Sequence, residues 1–177
     1  MKNVLISIQP KWCELIASGK KTVEVRKTRP KLETPFKCYI YETQSRTETP
    51  FVDEEGHEIF KGRGQVIGEF VCDEIYETRF AVDFEYGNQY WDVRYNSGDD
   101  CLSDEELAQY IGNKAVYYGW HISDLVIYDK PKELSSFWTI KCTNKKVGCS
   151  QCYIKPNCII RITRPPQSWC YVEGVAE

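Results

Sequence analysis

No stretch of this chain approaches the ~20 consecutive apolar residues that a membrane-spanning helix requires. The opening residues hold only a short apolar run, Val4 to Ile8, interrupted by Ser7 and followed by Gln9 and Pro10. That run reads as a strand rather than a signal peptide, so the expectation is a cytoplasmic protein with no membrane partner. Net positive charge is also lacking. The formal charge is -3, which argues against coating nucleic acid through bulk electrostatics. Methionine is almost absent, one residue against 12 Tyr, 7 Phe and 5 Trp, so the core and any groove are built from rings, which also stack on bases or flat heterocycles. The nine cysteines do not make the even set of a secreted disulfide framework, and in a reducing compartment they are thiols or metal ligands.

A length of 177 residues suits one sizeable core with an elaborated loop or tail. The charge is unevenly spread. Residues 1 to 37 hold nine Lys or Arg against three Glu, and residues 111 to 177 hold nine against five acidic residues. Residues 42 to 110 hold five against eighteen. If the two ends lie together, they make a basic face that steers an anionic ligand; ordinary solvated charge is the competing reading.

The stretch Ser18-Gly-Lys-Lys-Thr-Val-Glu-Val-Arg26 is the candidate working end. Gly19 closes a short helix by accepting a left-handed conformation, and a strand follows. Alternation puts Val23 and Val25 on one face and Thr22, Glu24 and Arg26 on the other, roughly 6.6 Å apart in steps of two residues. Lys20 and Lys21 stand at the strand's mouth. A row of hydroxyl, carboxylate and guanidinium is either an outward-facing surface pair or a polar cleft for an anionic or carbonyl-bearing ligand.

In chain order, Val4, Ile6 and Ile8 alternate as a half-buried strand. From Lys11 to Ser18, Trp12, Leu15 and Ile16 share one helical face; Trp12 is core or, in a groove, a stacking platform. Lys27 to Pro35 is a basic, proline-punctuated loop. Phe36, Cys38 and Ile40 alternate with Lys37, Tyr39 and Tyr41, and the first set is expected inside. His57 reads as an exposed loop residue. Gly64 to Tyr76 reads as one long strand carrying Glu69, a carboxylate that either reaches solvent or is held for chemistry. Residues 77 to 100 read as irregular but aromatic, and so packed. Ser103-Asp-Glu-Glu106 is a capping box opening a helix that stops at Gly112. Val116, Tyr118, Trp120 and Ile122 alternate as a strand, with His121 as structure or as a proton carrier.

Near the C-terminus, Cys142, Cys149, Cys152 and Cys158 fall in the spacing Cys-x6-Cys-x2-Cys-x5-Cys. Four thiolates in a flexible loop suit a structural zinc, with an unmetallated loop of reduced thiols as the alternative. Arg164-Pro-Pro-Gln-Ser-Trp169 follows, an extended segment whose Trp169 must be covered.

The motif Gly19-Lys20-Lys21-Thr22-Val23-Glu24-Val25-Arg26, preceded by Ser7-Ile8-Gln9-Pro10 and a short helix, resembles the signature of ASCH domains. The likeness extends through Phe36 to Glu42, Gly64 to Tyr76 and Tyr118 to Ile122. It implies an α+β fold: a PUA-like mixed β-barrel over residues 1–135 with short flanking helices, followed by a Cys-rich C-terminal extension over residues 136–177 packed on the same domain. It implies a module that binds RNA or a modified nucleoside or nucleotide in a cleft. Lys20, Lys21 and Arg26 would meet phosphates or base carbonyls, Glu24 an exocyclic amine, and Trp12, Tyr41 or Trp169 a base face, with Gln9, Glu69 and Trp120 as further lining candidates. Some small ASCH proteins are amidohydrolases acting on N4-acetylcytidine through a Lys, a Thr and a distant Glu. The Lys carries over to Lys21, whereas the Thr position is occupied by Glu24, with Thr22 two residues upstream on the same face. A hydrolase using Lys21, Thr22 and Glu24 is therefore the enzymatic alternative. A ribonuclease stands beside it, though no histidine pair marks one.

Overall fold

The computed structural model describes residues 2–44, 51–52, 58–59, 62–82, 89–92, 95, 98–140 and 159–175. In chain order the elements are β1 (Asn3–Ile8), α1 (Pro10–Ala17), β2 (Val23–Arg26), β3 (Phe36–Glu42), β4 (Phe51–Val52) and β5 (Glu58–Ile59). Then come β6 (Val66–Cys72), β7 (Ile75–Val82), β8 (Gln89–Asp92), α2 (Asp104–Ile111), β9 (Val116–His121) and β10 (Ser123–Lys132). A 3-10 turn (Leu134–Ser136) leads to β11 (Phe137–Ile140), β12 (Ile159–Arg161), β13 (Trp169–Val172) and β14 (Gly174–Val175). No helix among the described residues is long and apolar enough to cross a membrane.

The chain divides into two units. The first comprises Met1–Pro10, Cys38–Gly68 and Tyr128–Glu177. Here β1 lies between β3, which runs parallel to it, and β13, which runs antiparallel with Ile6 opposite Trp169. Leu5, Tyr39, Tyr41, Val66, Phe137 and Val172 close a core. Ser7 ties the segment before β13 to β1: its Oγ donates to the Pro166 carbonyl at 2.7 Å, and its N–H donates to the Ser168 carbonyl at 2.9 Å. The C-terminal residues are thus woven into sheets, β13 onto β1 and β14 onto β11, so the expected Cys-rich C-terminal extension is not supported: these strands are integral members of the sheets.

The second unit comprises Lys11–Lys37 and Glu69–Ile127. Its sheet runs β2-β9-β7-β8, with Val25, Ile111 and Tyr117 buried together and Tyr95, Leu102 and Leu107 packed against them. The capping box forms as its residue types dictate. Ser103 Oγ accepts from the Glu106 N–H at 3.1 Å, and the Glu106 carboxylate accepts from the Ser103 N–H at 3.0 Å.

Several expectations change. The strands form four sheets among the described residues, and none closes on itself into the expected barrel. The single strand over Gly64 to Tyr76 is two, broken at Asp73-Glu74, where the chain leaves one sheet for another. Residues 77 to 100 are less irregular than expected. There β7 continues to Val82 and pairs with β8, Phe80 opposite Trp91, because β-branched and aromatic residues suit a paired ribbon. On β3 the tyrosines are buried along with Cys38 and Ile40, so alternation does not mark an outer face. In α1 the buried residues are Cys13 and Ile16, while Trp12 and Leu15 are half-covered.

Candidate functional site

Gly19 does what its residue type predicts. With φ at +73° it ends α1, and the N–H groups of Lys20 and Lys21 both turn back to the Leu15 carbonyl. That turn aims Lys21 at the entry of β2. The strand is then held on both sides. Glu24 lies opposite Trp120 and Arg26 opposite Tyr118 on β9, and the Thr22 and Val23 N–H groups donate to the Asp99 carbonyl at 2.9 and 3.0 Å.

Of the expected row, Thr22 is half-buried while Glu24 and Arg26 are turned inward, as is Lys21 at the strand's mouth. Lys21 is 2% exposed, and Glu24 and Arg26 are each 6% exposed. The Glu24 carboxylate bridges two cations, with Oε1 2.8 Å from Arg26 Nη2 and Oε2 3.5 Å from Lys21 Nζ. Lys21 Nζ also donates to the main-chain carbonyl of Asp100. Three charges withdrawn from water in this way each carry a desolvation penalty of several kcal/mol, offset only by good mutual geometry.

Around this buried row stands an aromatic and cationic surround. Lys11 Nζ and Lys21 Nζ lie 4.4 and 5.2 Å from the Trp12 ring centroid, within cation–π range. Lys11 also meets Glu106 at 2.8 Å, linking α1 to α2. That hydrogen bond, then the Ser103 N–H, holds the Glu106 carboxyl below its usual range against the opposing effect of burial, and the positive charges of Lys11 and Lys21 add to it. Tyr110, 36% exposed, has Lys27 Nζ 5.1 Å from its ring centroid. Burial pushes its hydroxyl pKa up, with nearby Arg26 opposing and Glu24 reinforcing the shift. Lys20 and Lys27 are exposed.

The other sequence candidates fall elsewhere. Trp120 is fully buried with its ring edge-on to Phe36 at 5.9 Å, a core role on the strand next to Glu24. Glu69 pairs with Lys37 at 2.5 Å. Gln9, Tyr41 and Trp169 belong to the first unit: Gln9 is exposed, Tyr41 is buried in that unit's core, and Trp169 meets Tyr171 edge-on at 5.4 Å. His121 Nδ1 lies 2.7 Å from Asp73 Oδ1. Burial pushes the Asp73 carboxyl up, but the bond to His121 and further hydrogen bonds outweigh this and bring it below its usual range. Cys142, Cys149, Cys152, Cys158 and His57 lie outside the described residues. Among the described residues, no group of three or more His, Cys, Asp or Glu is placed to hold a metal.

Sequence reasoning missed Asp100, Tyr95, Tyr110 and Glu106. Glu106 had a signal, since its capping box fixes which face of α2 carries it. Asp100 and Tyr95 had none, because only tertiary pairing brings them to β2.

Residues 6–90 match the ASCH domain family. The crystal structure of ASCH from Zymomonas mobilis matches with a TM-score of 0.57 at 20% identity, covering 97% of this chain and 87% of that one. A serine-to-alanine mutant of that protein gives 0.54 at 19% identity, with 97% and 88% coverage. A tyrosine-to-phenylalanine mutant gives 0.52 at 21%, with 98% and 91% coverage. No curated protein matches significantly.

Proposed function

Because residues 6–90 match the ASCH domain family, we propose that this chain is a PUA-like module that binds RNA or a nucleotide-type ligand at the Lys21–Glu24–Arg26 row and its rim. The observation that carries this reading is the burial of three charges at a helix-to-strand turn. Apolar residues of similar volume would be as stable or more so there, so a use for the charges explains them better than stability does. Exposed Lys20 and Lys27 supply phosphate contacts, and the half-exposed Trp12 face supplies stacking at an already cationic ring. Glu24 and Arg26, each 6% exposed and paired with one another, hold the strand that carries these rim contacts. The test is a titration of the labelled protein with a short single-stranded RNA, followed by amide NMR. Shifts should concentrate in Lys20 to Lys27 and around Trp12; shifts confined to other surfaces would contradict the reading.

A second reading, hydrolysis of an N4-acylated cytidine-type nucleoside, draws support from the 3.5 Å separation of Lys21 and Glu24. The ammonium would polarise an acyl carbonyl while the carboxylate accepts a proton from water. Incubation with N4-acetylcytidine should then release cytidine and acetate, and unchanged substrate would remove this reading.

The cysteine spacing supports a structural zinc as well. Ile140 and Ile159 are cross-strand partners on β11 and β12, so the chain leaves and re-enters this sheet at one place on either side of Cys142 and Cys158, as a metal-closed loop requires.

A further inference from the structure

Lys21 rests on the carbonyl of Asp100, and that carbonyl is itself held in place from the side chain outward. The Asp100 carboxylate is buried, a position that is costly unless each oxygen finds a donor. Both do. Oδ2 accepts from the Tyr95 hydroxyl at 2.6 Å, and Oδ1 accepts from the Leu102 N–H at 3.0 Å. The turn around them is tight: the Cys101 N–H donates to the Gly98 carbonyl at 3.1 Å, with Gly98 and Cys101 at φ of +98° and +55°.

We propose that the Tyr95 hydroxyl is a positioning group for Lys21: by fixing the Asp100 carboxylate, it fixes the main-chain carbonyl on which the ammonium rests. Tyr95 is suited to this because its own ring is wedged. A Cβ on Gly119 would stand 3.0 Å from two of its ring carbons, and the Tyr76 ring centroid is 5.9 Å away. Without the hydroxyl, Oδ2 loses its donor and gains by turning to water, carrying the Asp100 carbonyl with it. The consequence for ligand binding rests on the reading above, whereas the positioning itself does not.

The test is lysine acylation mapped by mass spectrometry in the full chain, comparing the unaltered protein with Tyr95→Phe. Lys21 should be protected in the first and label about tenfold faster in the second, as loss of one hydrogen bond to a charged group implies. Exposed Lys20 and Lys27 should not change. A general loosening is separated by thiol labelling: Cys13 and Cys72 are buried and should stay unreactive if only Lys21 is released. If Tyr95→Phe fails to fold, Asp100→Asn, which replaces one acceptor by a donor, should act in the same direction. Unchanged Lys21 labelling in the folded variant would overturn the proposal. Raised labelling with unaltered RNA binding would uphold the positioning role and count against the ligand site.

Discussion

Lys21 and Asp100 stand 79 residues apart in the chain, yet the ammonium of one donates to the main-chain carbonyl of the other. Together with Glu24 and Arg26, this contact turns the entry of β2 into a buried charged row.

Removing the bridging carboxylate should be costly. Glu24→Ala leaves two buried cations facing each other without their shared partner, and loss of one member of such a set destabilises by about 3–5 kcal/mol. Urea unfolding of the variant should show a midpoint shift of that size. Glu24→Gln, which retains shape and an acceptor, should lose less.

Gly119 is a test of the packing behind the row. A Cβ there would meet Val23 Cγ1 at 2.9 Å and the Tyr95 ring at 3.0 Å. Val23 is fully buried and Tyr95 is packed against the Val25–Ile111–Tyr117 cluster, so Gly119→Ala should cost about 1–3 kcal/mol by overpacking. Thermal unfolding should show it, with Lys21 protection falling in parallel because Tyr95 is displaced.

The α2 cap offers a graded pair. Ser103→Ala removes the acceptor for the Glu106 N–H and should cost about 1 kcal/mol. Lys11→Ala breaks a pair that is largely exposed on both sides and should cost under about 1 kcal/mol. The Glu106 carboxyl is held below its unfolded value by Lys11 and the Ser103 N–H. Its contribution is therefore present above the unfolded carboxylate pKa, about 4.3, and fades as pH falls through the lower folded value. Carboxylate titration by NMR should place Glu106 below free glutamate, and Lys11→Ala should move it back up.

Metal content tests the cysteine segment independently. Purified protein should carry one zinc per chain by elemental analysis, and Cys152→Ser should lower that content with a loss of thermal stability. Zinc-free protein of unchanged stability after exhaustive chelation would remove the structural-metal proposal.

The legible parts of this molecule are those whose signal is local. Alternation in β2 separates Val23 and Val25 from Glu24 and Arg26, Gly19 marks the end of α1, and Ser103 with Glu106 marks the start of α2. Alternation does not say whether a face is open, and on β2 and β3 both faces are covered, so Glu24 and Tyr41 could not be assigned a depth from pattern alone. The break at Asp73-Glu74 was hidden because valine, isoleucine and tyrosine continue on either side of it. Trp120 is a lining candidate by sequence; only its full burial and its edge contact with Phe36 show it as core. Asp100 and Tyr95 carry no local mark at all, since their role depends on a contact made across the fold.

The most direct measurement is the affinity of a fluorescein-labelled single-stranded RNA for the unaltered protein and for Lys21→Met, followed by anisotropy at two salt concentrations. Binding should weaken with salt, and the substitution should reduce affinity by about tenfold or more, because the buried row that supports the rim loses one of its charges, in a variant whose folding is confirmed by circular dichroism. Equal affinity for both proteins, or none for either, would contradict a ligand site at the Lys21–Glu24–Arg26 row.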